Sequence, residues 1–198
     1  ERANEVSPTE KASVIANVIH RLEAILKVKK DLDALAAPQI GINKRIFCIR
    51  FKDEIKIFVN PLRTGTSKEM HLSREKCASL KSQYIIPRFN NITAMYQNKS
   101  GAIEENKFEG MAGEVFQQML DLLDGVLISD YGLEVLRGYD SASDEDKQAI
   151  IAMYLDSLKK QGLAIDNEIS NNPELKEAKD GIAFMESVAT GKTDLVPS

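Results

Sequence analysis

Apolar residues in the first part of the chain recur three and four positions apart, which is the spacing of one face of an α-helix. Val14, Val18 and Leu22 belong to this stripe, and further apolar residues lie beside it. The stretch 7–10, Ser-Pro-Thr-Glu, carries side chains that commonly start a helix. The pattern therefore predicts an amphipathic helix over about residues 8–29.

Short runs of β-branched and aromatic residues follow, and they predict strands. The runs 45–50 and 55–60 flank a polar stretch and indicate a hairpin, whose second strand should end at Asn60-Pro61. Three further strands are predicted downstream, at 83–88, 91–97 and 102–108. A tight turn at 98–101 joins the last two. Residues 62–72 are predicted to form a polar loop or an irregular edge strand.

The stretch 114–124 is apolar around most of its girth when it is placed on a helix. Val115, Met119 and Leu122 fall three and four residues apart, and a second set of apolar residues has the same spacing. Gly125 can adopt the left-handed conformation that ends a helix. Such a helix is buried, so the sequence predicts one central helix within an α+β fold.

Two more amphipathic helices are predicted in the last third of the chain. Ser143 begins the first, which carries Tyr154 on its apolar stripe, and Asn172 begins the second. Because two short helices cannot bury their stripes alone, they should pack on the preceding body, on each other or on a partner protein. Packing within the chain is favoured. The predicted division is one domain over 1–135 and a helical extension over 136–198.

Composition narrows the class of protein. Of the 198 residues, 43% are hydrophobic and 28% are charged, which is ordinary for a globular protein. A net charge of −4 argues against general nucleic-acid binding. No apolar run reaches the roughly 20 residues that span a bilayer, and no secretory signal is visible. We expect a soluble protein without a membrane or nucleic-acid partner, and composition does not indicate its compartment.

Three short motifs resemble those of the peptide deformylases, in the same order along the chain. L-A-A-P-Q-I-G at 35–41 is identical to the core of the first motif, and E-K-C-A-S at 75–79 is similar to the second, E-G-C-L-S. Q-Q-M-L-D-L-L-D-G-V-L at 117–127 aligns without a gap with the third, Q-H-E-x-D-H-L-x-G-x-L. The resemblance covers roughly residues 5–130. It implies an α+β fold in which a mixed sheet packs around the central helix.

The resemblance also implies which side chains would form a site. Family members hold a divalent metal ion with the Cys of motif two and both His of motif three, and the Glu between these His transfers protons. The corresponding residues here are Cys77, Gln118, Leu122 and Met119, while Gln39 matches the residue whose amide helps to bind an oxyanion. Leu has no lone pair, the Gln amide is a weak ligand and Met accepts no proton. Neither a metal ion nor a catalytic residue is therefore expected.

A further departure lies just before the first motif. Family members usually carry G-x-G there, which lets the main chain approach a bound peptide closely, and this chain has Leu32-Asp33-Ala34. These residues are expected to crowd or close the peptide groove. Without a neighbouring metal ion, Gln39 is then interpreted as a residue that makes turn or loop hydrogen bonds.

Three functions fit these observations. The first, which we favour, is a deformylase-like protein without catalysis or cofactor, acting as a structural or interaction subunit of a larger assembly such as a bacteriophage particle. Its C-terminal helices would contact other protein subunits. The second is a residual peptide hydrolase that depends on a metal ion, or on Cys77 together with Gln39. The third is a module that binds a polypeptide terminus, and the loss of G-x-G argues against it.

Overall fold

The computed structural model describes residues 1–52, 54–68, 70–76, 82–136, 138–154 and 157. These residues form two compact units. The first consists of Glu1–Lys68 and Phe89–Ile128, and the second of Glu69–Arg88 with the described residues from Ser129 onward. Each unit contains an antiparallel sheet and helical segments, so the predicted α+β class is confirmed. The predicted division into 1–135 and 136–198 stays a prediction.

Helix α1 spans Ala12–Val28 and begins later than the sequence predicts. Ser7 caps a preceding turn instead, because its hydroxyl accepts a hydrogen bond from the Thr9 N–H and its carbonyl accepts one from the Glu10 N–H. The Glu10 carboxylate pairs with the Lys44 ammonium group at 2.7 Å. The apolar stripe of α1 packs on the sheet of the first unit through Val18, Ile19, Leu22 and Leu26.

Five strands form the sheet of the first unit, in the spatial order β1-β2-β3-β6-β7, and all neighbours are antiparallel. Their bounds are Ala34–Ala36, Ile46–Phe51, Glu54–Thr66, Asn91–Gln97 and Ile103–Glu109. Strand β3 does not end at Asn60-Pro61 as predicted. Asn60 adopts a φ of 48°, and the register shifts between Val59 and Leu62. This bulge accommodates the proline, so pairing with β6 continues to Thr66.

Helix α2, Gly110–Asp124, follows β7 directly and packs on the sheet face opposite to α1. The Phe116 ring stacks on Phe108 with 4.2 Å between centroids, and it meets Phe47 and Phe58 edge-on at 5.0 Å. The helix ends at Gly125, whose φ is 79°. The buried central helix predicted from the apolar pattern is therefore confirmed. Its first turn lies before the predicted start at residue 114.

The second unit contains a three-stranded sheet in the order β4-β5-β8, with bounds Met70–Lys76, Gln83–Phe89 and Leu133–Glu134. A short helix α3, Ile128–Tyr131, precedes β8, and a 3₁₀ turn at Tyr139–Ser141 follows it. No helix among the described residues is both long and apolar enough to cross a membrane.

The described residues of helix α4 are 144–154 and 157, and the helix begins as predicted, since the Ser143 hydroxyl accepts a hydrogen bond from the Asp146 N–H at 3.1 Å. Tyr154 on this helix is buried among neighbours of the same unit, which are Leu72, Tyr131, Leu133 and Ile151. This first C-terminal helix therefore packs within the chain. The second predicted helix, from Asn172, lies outside the described residues.

Candidate functional site

Helix α2 places the three family positions of motif three in the interior of the protein. Gln118, Met119 and Leu122 are 9%, 3% and 8% exposed. Residues four apart lie one above the other on a helix, so the Gln118 amide and the Leu122 hydrocarbon share one face. This face presents one polar and one apolar side chain where the family has two imidazoles.

The residues on α2 do not fit the divalent metal ion that the family resemblance implies. Such an ion takes imidazole, thiolate or carboxylate ligands, and Gln118 and Leu122 offer none of these. In the part of the chain that the structure describes, no three His, Cys, Asp or Glu side chains gather as an ion would require. Cys77, the remaining family ligand, lies outside the described residues.

The first motif forms a 3₁₀ helix, Ala37–Ile40, directly after β1. The side chain of Gln39 turns back to the strand, where its Oε1 accepts a hydrogen bond from the Ala36 N–H at 2.8 Å. Gly41 then ends the turn with a φ of 76°. Gln39 thus makes a turn hydrogen bond of the kind expected from the sequence. Its contact with an oxyanion stays a prediction.

Strand β1 is an edge of the five-stranded sheet, since its described strand neighbour in the first unit is β2 alone. The Arg50 N–H donates to the Asp33 carbonyl at 2.7 Å, just before the paired residues of β1 and β2. Along an antiparallel pair, every second residue forms main-chain hydrogen bonds with the neighbouring strand. Leu35 therefore bonds to β2, whereas the main-chain groups of Ala34 and Ala36 point away from it. The Ala36 N–H, which donates to the Gln39 side chain, is one of these outward groups.

Leu32 lies two residues before β1, and the crowding expected from the loss of G-x-G stays a prediction. Leu32 packs against the apolar cluster beneath α1, together with Leu22, Leu26 and Leu35. The second replaced glycine, Ala34, adds only a methyl group. Of the two positions where the family has glycines, only Ala34 lies on β1, and its side chain is small.

Gln117 makes a contact that the sequence analysis missed. Its Nε2 donates to the carbonyls of Phe89 and Gly113 at 3.0 and 3.2 Å, and its Oε1 accepts from the Phe89 N–H at 3.0 Å. One side chain thus binds both polar main-chain groups of the last residue of β5. The signal in the sequence was a polar residue on the buried side of an apolar helix, which needs a partner.

Motif two begins with Glu75 on β4, and the second unit holds this carboxylate in a buried ion pair. Arg88 donates from Nε and Nη2 to the two carboxylate oxygens at 2.6 and 2.8 Å, and from Nη1 to the Tyr131 hydroxyl at 3.2 Å. A two-bond contact of this kind fixes the orientation of both side chains. The local pattern did not reveal it, because the two residues lie on different strands.

Comparisons with known proteins extend the resemblance beyond the motifs. The model of the polypeptide deformylase family matches residues 1–135. The peptide deformylase of Natranaerobius thermophilus is 33% identical over 141 residues, which are 66% of this chain and 89% of that relative. A peptide deformylase of Thermotoga sp. strain RQ2 is 37% identical over 97 residues, or 48% of this chain, and the chain spans only 59% of its length.

A solved structure shows the same similarity. The probable peptide deformylase from Synechococcus phage S-SSM7 superposes with a TM-score of 0.61 and 29% sequence identity. The aligned part covers 66% of this chain and 90% of that chain. The α+β architecture described above is therefore that of solved deformylase structures.

These comparisons contradict the function favoured from the sequence. The hypothesis of a structural subunit without catalysis, a virion component or a pseudoenzyme without metal is wrong, because relatives up to 37% identical are named peptide deformylases. None of these relatives is named as a structural or virion protein. Three altered residues on one helix do not outweigh a family match over residues 1–135.

Family membership follows from the extent of the match and from the fold. The matched region includes all three motifs and more than half of the chain, and the solved neighbours are deformylases. Deformylases are enzymes. The chain belongs to the peptide deformylase family.

Proposed function

We propose that this protein is a peptide deformylase, which removes a formyl group from the amino-terminal end of a polypeptide. Two relatives named peptide deformylase and the family match over residues 1–135 support this proposal. The structural observation that carries it is the open edge of β1 beside the oriented side chain of Gln39.

An extended polypeptide can bind the edge of β1 as an additional strand. The Ala34 N–H and C=O point outward, so they would form a pair of main-chain hydrogen bonds with the incoming peptide. The small Ala34 side chain allows a close approach. Since such bonds recognise any main chain, preference for an amino-terminal end has to come from residues beyond the edge.

Removal of a formyl group is the hydrolysis of an amide, which needs an attacking water molecule and stabilisation of an oxyanion. Gln39 is the residue that we assign to the oxyanion, because its amide lies at the end of β1 where the bound peptide would stop. Gln118, Met119 and Leu122 supply neither a base nor a metal ligand. These three side chains therefore have no part in the proposed hydrolysis.

A second candidate function is the binding of polypeptide ends without hydrolysis. One observation favours it, namely that α2 carries an amide, a thioether and a hydrocarbon at the three family positions. Binding at the edge of β1 needs none of the replaced side chains.

The test uses the full chain with a formylated methionyl tripeptide and with the same peptide carrying a free amine. Iron(II), nickel(II) and zinc(II) are supplied in parallel, and formate is measured with a coupled dehydrogenase. Formate release supports the proposal. Saturable binding in calorimetry without formate release would select the second candidate, and no binding at millimolar peptide would overturn both.

Two proline variants locate the binding edge. Ala34→Pro removes an outward N–H from β1 while the bonds of Leu35 to β2 remain, since proline is tolerated on an edge strand. Peptide affinity should fall by up to about tenfold, the effect of one lost hydrogen bond. Glu105→Pro makes the same change at the other edge of the sheet, on β7, and should leave peptide affinity unchanged.

A further inference from the structure

Strand β7 forms the other edge of the five-stranded sheet, and the hairpin that leads into it shows which groups point outward. The Asn98 N–H donates to the Ala102 carbonyl at 2.9 Å, and the Gly101 N–H donates to the Asn98 carbonyl at 2.9 Å. Because hydrogen-bonded residues alternate along the antiparallel register, the main-chain groups of the even-numbered residues of β7 form the hydrogen bonds with β6. The outward N–H and C=O groups belong to the odd-numbered residues Ile103, Glu105, Lys107 and Glu109.

This edge is accessible along its length. Ile103 is 70% exposed, and the side chains of Lys107 and Glu109 are 56% and 70% exposed. In the described part of the first unit, β6 is the strand neighbour of β7, and the opposite side has none. A straight open edge of this length is a template for pairing with another strand.

We propose that β7 pairs antiparallel with β7 of a second copy of this chain, about a twofold axis at Asn106. This register places Glu105 opposite Lys107 of the second copy, and the symmetry repeats the contact. Ile103 then lies opposite Glu109 of the second copy. Every pair that forms hydrogen bonds uses outward groups only, so the main-chain donors and acceptors of the edge are all satisfied.

The charges select this register over its neighbours. A shift of the axis to residue 105 would set Glu105 opposite itself, and a shift to residue 107 would set Lys107 opposite itself. Like charges directly opposite one another destabilise a strand pair. An axis between two residues would set outward groups against inward ones, so the hydrogen bonds could not form. The axis at Asn106 thus combines correct hydrogen bonding with opposite charges.

The charged side chains already have surface contacts, and pairing exchanges these. The Glu105 carboxylate accepts a hydrogen bond from the Thr64 hydroxyl at 2.7 Å, and the Lys107 Nζ lies 3.1 Å from the Glu109 Oε2. Contacts of this kind at the surface are weak, so the side chains can turn to a partner across the edge.

Apolar area also lies next to the edge. Leu62 and Met95 face each other across β3 and β6 on the same exposed face as Ile103, and both are exposed. Helix α1 packs on the β1–β3 part of this face through its apolar cluster. A second copy joined at β7 would extend the sheet beside these side chains and reduce their contact with water.

The test is the oligomeric state of the full chain in sedimentation experiments over a range of concentrations. Wild type should dimerise, and Lys107→Glu should raise the dissociation constant by about tenfold or more, because two attractive contacts become repulsive. Glu105→Lys should do the same. The double variant E105K/K107E restores opposite charges and should restore the dimer. Lys11→Glu reverses an exposed charge just before α1 and should leave the dimer unchanged.

Three outcomes would overturn the proposal. One is a wild type that stays monomeric at millimolar concentration. Another is a dimer that survives both single reversals, which would place the interface elsewhere. The third is a double variant that stays monomeric although its circular dichroism matches wild type, which would exclude this register.

Discussion

Replacing Gln117 by Leu tests how strongly one amide holds α2 to Phe89 within the first unit. The Gln117 side chain is buried and satisfies both the N–H and the C=O of Phe89. Leucine would leave both groups of this buried residue without the amide that now bonds to them. Each unsatisfied buried group costs about 1–3 kcal/mol, so the free energy of unfolding should fall by about 2–6 kcal/mol. Since domains are stable by about 5–15 kcal/mol, the effect is large.

The measurement is urea unfolding followed by circular dichroism, on wild type and matched variants. Gln148→Leu is the control, because Gln148 is exposed on α4 and its substitution should change stability by less than about 0.5 kcal/mol. Gln117→Glu keeps the acceptor for the Phe89 N–H but loses the donor to the Phe89 carbonyl. The buried carboxylate would also face the Phe89 and Gly113 carbonyl oxygens, so this variant should be less stable than wild type at neutral pH.

If the free energy of unfolding of Gln117→Leu lies within about 1 kcal/mol of the wild-type value, the reasoning is refuted, since the loss of hydrogen-bond partners for two buried groups costs more than this. Hydrogen exchange gives a second reading at the contact itself. The Phe89 amide should exchange faster in Gln117→Leu, which removes its acceptor, than in Gln117→Glu, which keeps one, and Gln148→Leu should leave its exchange rate unchanged.

Substitutions at three further sites test other contacts. Arg88→Leu leaves Glu75 buried without its partner and should lower the free energy of unfolding in urea by about 3–5 kcal/mol, while the double variant R88L/E75L should recover most of this. Tyr154→Phe removes the hydrogen bond to the Tyr131 carbonyl, so the free energy of detaching α4 from the rest of the second unit should fall by about 1 kcal/mol. Limited proteolysis of α4 should then be faster. Burial and a hydrogen bond to a carboxylate raise the pKa of Tyr96 to about 12. The folded state thus retains the phenol proton, and wild-type stability should fall between about pH 10 and 12 in a way that Tyr96→Phe does not.

Local patterns predicted the elements that bury a regular apolar face. The stripe of α1, the hairpin strands and the buried helix α2 all follow from spacing alone. Their ends follow less well, because ends depend on neighbours. Helix α2 starts at Gly110 although two glycines weaken its first turn, and a Cβ at Gly113 would lie 3.0 Å from the Phe108 carbonyl. The glycine is there because the preceding strand passes close to the helix.

Local spacing of apolar and polar residues did not predict contacts between segments that are distant in the sequence. Asn60 accepts from the Val6 N–H at 2.8 Å and donates to the Val6 carbonyl at 2.9 Å, and this pair holds the bulge in β3. The sequence showed only Asn-Pro, a local stop signal, so the strand was predicted to end there. Pairing with β6 outweighs that signal once the sheet is formed.

The candidate site likewise has one part that the sequence predicted and one part that it did not. Gln39 and the strand before it could be placed from the first motif, whereas the open edge of β1 is a property of the strand order. That order sets β1 and β7 at opposite ends of the sheet, with β2, β3 and β6 between them. A peptide on β1 and a second copy on β7 therefore do not compete for the same main-chain groups. It follows that Ala34→Pro should weaken peptide binding without changing the oligomeric state, and Glu105→Pro should have the reverse effect, so the two proposals can fail separately.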